Sequence, residues 1–139
     1  FAAWKAHQLQ PAPPPDSARL AQGQLDFMIH CAVCHTIRGT TAGGILGPDL
    51  THLMSRGSIA ANTLPDTPGY LSGWIADPQH VKPGNFMPAV ELSGGQLTDI
   101  QMLTSRSGGA VGKSGVSWVK AKGPKSGVVW LKLSDLTCI

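Results

Sequence analysis

Residues 31–40 read CAVCHTIRGT, and the first five letters restrict what the chain can be. Cys31 and Cys34 are separated by two residues, and His35 follows directly. This spacing is typical of half a zinc site, of a redox-active dithiol, or of the attachment point of a c-type haem. The rest of the sequence has to discriminate among these three kinds of site.

Cysteine and histidine usage favours the haem. The third cysteine, Cys138, lies near the end, and the sequence has neither the second C-x-x-C nor the H-x-x-x-H that a four-ligand zinc site would need. A thioredoxin-like dithiol begins a helix after a strand, whereas this pair follows a stretch with a helical pattern. C-x-x-C-H is the haem attachment signature, because two thiols add to the porphyrin vinyl groups and the adjacent imidazole comes to lie under the iron. The motif alone does not exclude a chance C-x-x-C-H sequence in a protein without haem.

Length and charge restrict the class of protein. At 139 residues and 42% hydrophobic, the chain is the size of one domain, and no apolar run approaches the ~20 residues of a membrane span. We expect a soluble chain with no membrane span. It begins with Phe1 rather than methionine, so we expect a mature or excised piece whose anchor or export signal lies upstream.

Charge is distributed unevenly along the chain. Residues 1–104 carry five Lys/Arg against seven Asp/Glu, and residues 105–139 carry six Lys/Arg against one Asp. The lysines of this basic tail are singly spaced, so we expect solvated surface and no nucleic-acid binding.

The hydrophobic pattern predicts an all-α core. Residues 10–16, QPAPPPD, form an extended proline-rich linker, and Asp16 or Ser17 caps a helix that runs into the cysteines. A glycine-rich loop follows the motif. Three further helices are predicted, a short one over 51–59, one that begins at 65–68 and ends at Asp77–Pro78, and one over 94–104 capped by Ser93.

The run from Gly23 to Met87 resembles a class I c-type cytochrome, since Gly23 and Phe27 precede Cys31 by eight and four residues and Gly47–Pro48 follows. More narrowly, TIRGT, GPDLTHLMSR, IAANTLPDT, WIADPQHVKPG and FMP resemble the cytochrome domain fused to subunit II of some bacterial cytochrome c oxidases. The opening FAAWKAHQLQPAP is similar to the end of the copper domain that precedes this fusion, although the copper ligands are not in this chain. The resemblance covers about residues 1–104. It implies a linker over 1–16, a cytochrome domain over 17–104 and a separate tail over 105–139.

The resemblance also assigns the iron ligands. His35 would be the proximal ligand, with its other ring nitrogen donating to the Pro48 carbonyl, although Pro48 could equally serve only to stiffen its loop. Met87 would be the second ligand. It lies in KPGNFMPAV, where Pro83 and Pro88 restrict the backbone, and its alternative role is a hydrophobic plug over the haem.

Four further residues take roles around the haem. Gly23 would let the first core helix cross the last one closely, and Phe27 would form a wall of the haem pocket. Trp74 and Arg56 would bind the two haem carboxylates, because a buried carboxylate needs a hydrogen-bond donor. The alternatives are an ordinary core tryptophan and an ordinary surface arginine. Remaining candidates are weaker, with His30, His52 and His80 expected at the surface or rim, His7 in the linker region, and Tyr70 and Asn85 at the haem edge.

The sequence departs from the family after Ile100, where the chain reads QMLTSRSGG in place of the usual aromatic and leucines. We therefore expect the last helix to end early or to pack differently. Beyond it, WVKAKGPKSGVVWLKL indicates a small β-hairpin, although the change in composition also fits a tail that was not selected with the core. Cys138 is expected to be an incidental free thiol.

The predicted function is electron relay by one covalent haem c. With His35 and Met87 on the iron there is no open position for substrate, so the domain alone would catalyse no bond chemistry. In the resembled complex it would pass electrons from a quinol-oxidising complex or a soluble cytochrome to the copper centre of the same subunit, and so to the oxidase core. It would lie in the periplasm or on the outer face of the bacterial membrane, anchored through a parent subunit. Alternatives are a free periplasmic carrier and a gas-sensing haem domain, which would need an absent or easily displaced sixth ligand.

Overall fold

A computed structural model describes residues 1–106, 118–122 and 128–132. The chain divides into two compact units, Phe1–Gly109 and Ala110–Ile139. The helices of the first unit are α1 (Ala2–Gln8), α2 (Ala18–His30), a 3₁₀ turn (Leu53–Ser55), α3 (Pro68–Ala76), α4 (Pro78–Val81) and α5 (Gly94–Arg106). Two short strands, β1 (Ser58–Ile59) and β2 (Leu64–Pro65), pair antiparallel within it. In the second unit β3 (Trp118–Lys122) pairs antiparallel with β4 (Val128–Lys132). The prediction of an all-α core with a small hairpin in the tail is confirmed.

Local signals set the helix boundaries. The Ser17 side chain accepts a hydrogen bond from the Leu20 amide at 3.3 Å and so caps α2, as predicted. Ser93 and Gln96 form a reciprocal capping box on α5, with 3.0 Å from the Ser93 amide to Gln96 Oε1 and 3.3 Å from the Gln96 amide to Ser93 Oγ. Cap and box thus hold the first turn of each long helix.

One predicted helix is wrong. Residues 51–59 contain only the 3₁₀ turn Leu53–Ser55, because the chain becomes extended at Arg56 and then enters β1. His52 precedes the turn without a side-chain cap, and Gly57 follows with a low intrinsic helix propensity. The segment therefore turns back to pair with β2 instead of continuing as a helix.

The core forms where α2 packs against α5. A Cβ added to Gly23 would lie 2.3 Å from the Asp99 carbonyl oxygen, so only glycine permits this approach, as predicted. Buried apolar side chains from the first unit complete the core: Phe27, Ile37, Leu53, Leu71, Ile75, Ile100 and Leu103. α5 does not end early, since it continues to Arg106, which forms an ion pair with Asp16.

The N-terminal region contains a helix that the sequence did not predict. α1 has no buried residue, and the ring of Phe1, which precedes the helix, stacks on Trp4 in solvent with centroids 6.1 Å apart. After α1 the chain runs without regular structure to α2. Within the described part of the chain, no helix has both the length and the apolar character needed to cross a membrane.

Candidate functional site

The C-x-x-C-H motif forms a tight turn directly after α2. α2 ends at His30, and the amides of Cys34 and His35 both donate to the Cys31 carbonyl, at 3.1 and 2.9 Å. A Cβ on Gly44 would lie 2.5 Å from the Cys34 backbone carbon, so the following loop packs closely on the motif. The two half-buried thiols and the imidazole therefore belong to one rigid turn.

The His35 ring is fixed by the loop that contains Pro48. Nδ1 of His35 lies 2.8 Å from the Pro48 carbonyl oxygen. Because a carbonyl only accepts, Nδ1 carries the proton and Nε2 keeps a lone pair that can bind a metal. A Cβ on Gly47 would lie 2.5 Å from Cε1 of His35, so backbone also restricts the ring. The histidine is held in the tautomer that an iron ligand requires.

Asp49 anchors the same loop through a network that the sequence did not reveal. Thr51, which is fully buried, donates from Oγ1 to Asp49 Oδ1 at 2.5 Å, and Arg38 Nε lies 3.2 Å from Asp49 Oδ2. Burial acts to raise the pKa of Asp49, but the Thr51 hydrogen bonds and the charges of Arg38 and Arg56 outweigh it and hold the pKa below its usual range. Asp49 is therefore an anion at neutral pH. Thr51 is a local partner two residues along the chain, whereas Arg38 is brought to Asp49 by the fold, so spacing alone could not identify the arginine.

Met87 lies in a loop held by two side-chain amides. Gly84 has a φ of +80°, and Asn85 accepts the Met87 amide at 2.8 Å through Oδ1. Gln79 donates from one nitrogen to the carbonyls of Asn85 and Met87, at 2.9 and 2.8 Å. We expected Asn85 at the haem edge, but its side chain bonds the loop backbone. Gln79 was missed, since a glutamine between Pro78 and His80 has no distinctive signal in the sequence.

The other predicted haem contacts lie in three environments. Phe27 is 2% exposed and belongs to the core. Trp74 is half-buried and packs against that core, while its indole N–H donates to none of the residues that the structure describes. Arg56 is exposed and donates from Nη2 to the Asp49 carbonyl at 2.5 Å.

Both oxygens of Asp66 are buried without a hydrogen-bond partner, and burial raises its pKa to about 6 against the opposing charge of Arg56.

The remaining histidines lie in different surroundings. His52 is buried, so its predicted place at the surface is wrong, and its Nε2 lies 2.8 Å from the Gln10 carbonyl oxygen. The rings of His52 and His7 lie with centroids 5.1 Å apart. His80 is exposed, and Nε2 of His30 lies 3.5 Å from the side-chain nitrogen Nε2 of Gln96. Cys138 lies outside the described residues.

The thiol chemistry argues against a dithiol redox site. Burial, and secondarily the neighbouring Cys34, raise the pKa of Cys31 to about 11. A reactive dithiol needs a low pKa, because the thiolate is the nucleophile. Across residues 1–106 and the two described tail strands, no three His, Cys, Asp or Glu side chains are grouped to hold a metal ion. The motif therefore matches neither a thioredoxin-like pair nor a protein-only metal cluster in this part of the chain.

The surroundings of the motif fit a haem. Ile45 and Leu46, in the loop that packs on Cys34, are 91% and 80% exposed, and Phe86 beside Met87 is fully exposed. When an apolar group covers large apolar side chains of this kind, the free energy falls by roughly 25 cal/mol per Å² of surface removed from water. Imidazole nitrogen and thioether sulfur are ligands that haem iron accepts. Exposed apolar side chains, an imidazole and a thioether are groups that suit a porphyrin and its iron.

Comparison with known proteins agrees with this fit. The family model described as cytochrome c matches residues 20–103. A curated relative, cytochrome c oxidase subunit 2 of Alkalihalophilus pseudofirmus, is 41% identical over 59 residues. That alignment covers 42% of this chain and 16% of the relative, so the chain corresponds to a small part of that protein.

Proposed function

This chain belongs to the cytochrome c family, and from that premise we propose that it holds one haem covalently through Cys31 and Cys34 and relays single electrons. Membership of the family implies haem c, and the helical unit has the class I fold. The observation that carries the proposal is the 2.8 Å contact from His35 Nδ1 to the Pro48 oxygen, which leaves Nε2 available to iron. When bound, the haem supplies reversible one-electron exchange at its iron.

His35 and Met87 are the proposed axial ligands. The Pro48 hydrogen bond makes the His35 imidazole more electron-rich, and Gln79 and Asn85 hold the backbone on both sides of Met87. A methionine held in this way loses little entropy when it binds. Two filled positions leave none for substrate, and methionine raises the reduction potential relative to bis-histidine ligation.

Phe27, Arg56 and Trp74 have proposed roles around the porphyrin. Phe27, a buried core side chain, would form the apolar wall behind the porphyrin. The indole N–H of Trp74 and the exposed guanidinium of Arg56 would donate to the haem carboxylates, which need such donors when partly buried.

The oxidase relative supports a narrower role for the chain. We place it as the haem domain, over residues 17–104, of a cytochrome c oxidase subunit 2, after a linker over 1–16 and before a tail over 105–139. It would take electrons from a quinol-oxidising complex or soluble cytochrome and deliver them to the copper centre of the same subunit. This places it on the periplasmic side of the membrane, anchored through the rest of that subunit. The identity with the named oxidase subunit supports this role.

Denaturing mass spectrometry tests the covalent attachment. Protein matured with the cytochrome c assembly machinery should have the mass of the polypeptide plus one haem. Cys31→Ser/Cys34→Ser should have the mass of the bare polypeptide, because both thioether bonds are removed. A bare mass for the matured parent would contradict the proposal.

The oxidase role needs a separate measurement. In the complete oxidase, reduction of the copper centre by the donor should follow reduction of the haem in time, and Met87→Ala should slow it. Copper reduction that precedes haem reduction would contradict the relay to the copper centre, although the chain could still bind haem.

A further inference from the structure

We propose that Arg38 is a positioning residue, which couples the N-terminal segment of the chain to the loop that orients His35. The inference rests on the proposed function, because it concerns the imidazole assigned to the iron. The sequence motifs assign no role to Arg38. Its contacts extend in two directions, toward the N-terminal segment and toward Asp49.

Residues 7–12, here called the strap, are bound to the surface of the first unit. Nη2 of Arg38 donates to the Gln8 carbonyl at 2.5 Å, and the Ala12 amide donates to the Arg38 carbonyl at 2.8 Å. A Cβ on Gly39 would lie 2.8 Å from the Ala12 oxygen, and Gly39 has a φ of +95°. Both the contact and the backbone conformation therefore require glycine where the strap crosses. This part of the N-terminal region is bound to the core rather than free.

On its other side Arg38 holds the Pro48 loop. Arg38 Nε lies 3.2 Å from Asp49 Oδ2, and the Arg38 amide donates to Thr51 Oγ1 at 2.8 Å. Thr51 in turn donates to the other Asp49 oxygen. Asp49 directly follows Pro48, whose carbonyl accepts from His35. One guanidinium thus connects the strap to the residue beside the acceptor that fixes the imidazole.

The planar guanidinium suits this double contact. Its nitrogens point in fixed directions, so one group holds Gln8 and Asp49 together. Lysine keeps the positive charge but offers a compact ammonium that cannot reproduce this geometry. Arg38→Lys should therefore loosen the Pro48 loop without changing the net charge. A looser acceptor weakens the hydrogen bond from His35, which makes the imidazole a poorer electron donor to iron.

The test is a pair of matched arginine variants of the matured protein. In Arg38→Lys, the His35 ring N–H should exchange with solvent about tenfold faster or more, as measured by NMR, because its closed state is less stable. The reduction potential should rise. The control is Arg19→Lys, since Arg19 forms a comparable pair with Asp99 at 2.6 Å on the α2–α5 side. It should leave both measurements unchanged.

A second variant approaches the network from the strap. Ala12→Pro removes the amide that donates to the Arg38 carbonyl and leaves every side chain of the network in place. It should also speed exchange of the His35 ring proton, and it serves if Arg38→Lys does not fold. The inference is overturned if a folded variant keeps both the exchange rate of the His35 ring proton and the reduction potential of the parent. This holds even if the backbone amides of the strap exchange faster. That failure differs from failure of the proposed function, which would appear as a parent protein without haem.

Discussion

The proton on Nδ1 of His35 decides what this side chain can do. The Pro48 carbonyl accepts it at 2.8 Å, so Nε2 is the nitrogen left to bind a metal. The sequence motif predicts His35 as a ligand, and the resemblance implies Pro48 as its hydrogen-bond acceptor. The surrounding restraints, from Gly47, Asp49 and Arg38, depend on residues that approach only in the folded chain.

The buried carboxyl group of Asp66 should make the stability of the protein depend on pH. Burial raises its pKa to about 6 from the ordinary value of 3.8, so between these values the folded protein binds more protons than the unfolded chain. The free energy of unfolding should therefore fall as pH rises through this range. Asp66→Asn should remove that decline and stabilise the protein at pH 7 by on the order of 1 kcal/mol, since solvent and Arg56 screen the half-buried carboxylate.

Urea unfolding at a series of pH values checks this. The parent and Asp66→Asn curves should coincide below about pH 4, separate between pH 4 and pH 6, and keep a constant gap above pH 6. Parallel curves over the whole range would mean that Asp66 has an ordinary carboxyl pKa in the folded protein.

Among the elements, the loop that carries Met87 is held by several side-chain hydrogen bonds. Gln79, in α4, bonds the carbonyls of Asn85 and Met87, and its Oε1 accepts the Gly84 amide at 3.3 Å. If Met87 is the sixth ligand, as proposed, an external ligand would replace it only when this loop opens, so the bonds of Gln79 should control that exchange.

Gln79→Ala should therefore speed cyanide binding to the oxidised protein by about tenfold or more, as loss of about 1–3 kcal/mol of local stability predicts. Stopped-flow absorbance measures the rate. Gln101→Ala is the control, since Gln101 makes a 2.6 Å bond to Ser105 within α5. Equal rates in the two variants would show that Gln79 does not restrain the loop.

The elements also show how far sequence reasoning reaches. Caps at Ser17 and Ser93 and the close crossing at Gly23 were predictable, because each depends on local spacing or on a residue without a side chain. The helix expected over 51–59 does not form, because the pairing of β1 with β2 overrides a weak helical pattern. Gln79 and Arg38 carry no local signal, because their partners are set by tertiary structure.

For the whole molecule, the division into two units bears on the tail. The candidate ligands and the core all lie in Phe1–Gly109, and the hairpin of β3 and β4 lies in Ala110–Ile139. We predict that a chain ending at Gly109 binds haem as the full chain does. Its absorption spectrum should be unchanged, with the full-length protein matured in parallel as the control. Loss of the low-spin spectrum on truncation would assign the tail a part in the haem site.

His35 and Met87 are proposed to occupy both axial positions of the iron, and Met87→Ala removes one of these two ligands. The oxidised parent should show the weak near-infrared sulfur-to-iron band, and its reduced form should not bind carbon monoxide. Met87→Ala should abolish the band, open the iron to carbon monoxide and lower the reduction potential, because a thioether favours reduced iron. A variant that keeps the band and the potential, or a parent that binds carbon monoxide readily, would contradict the account.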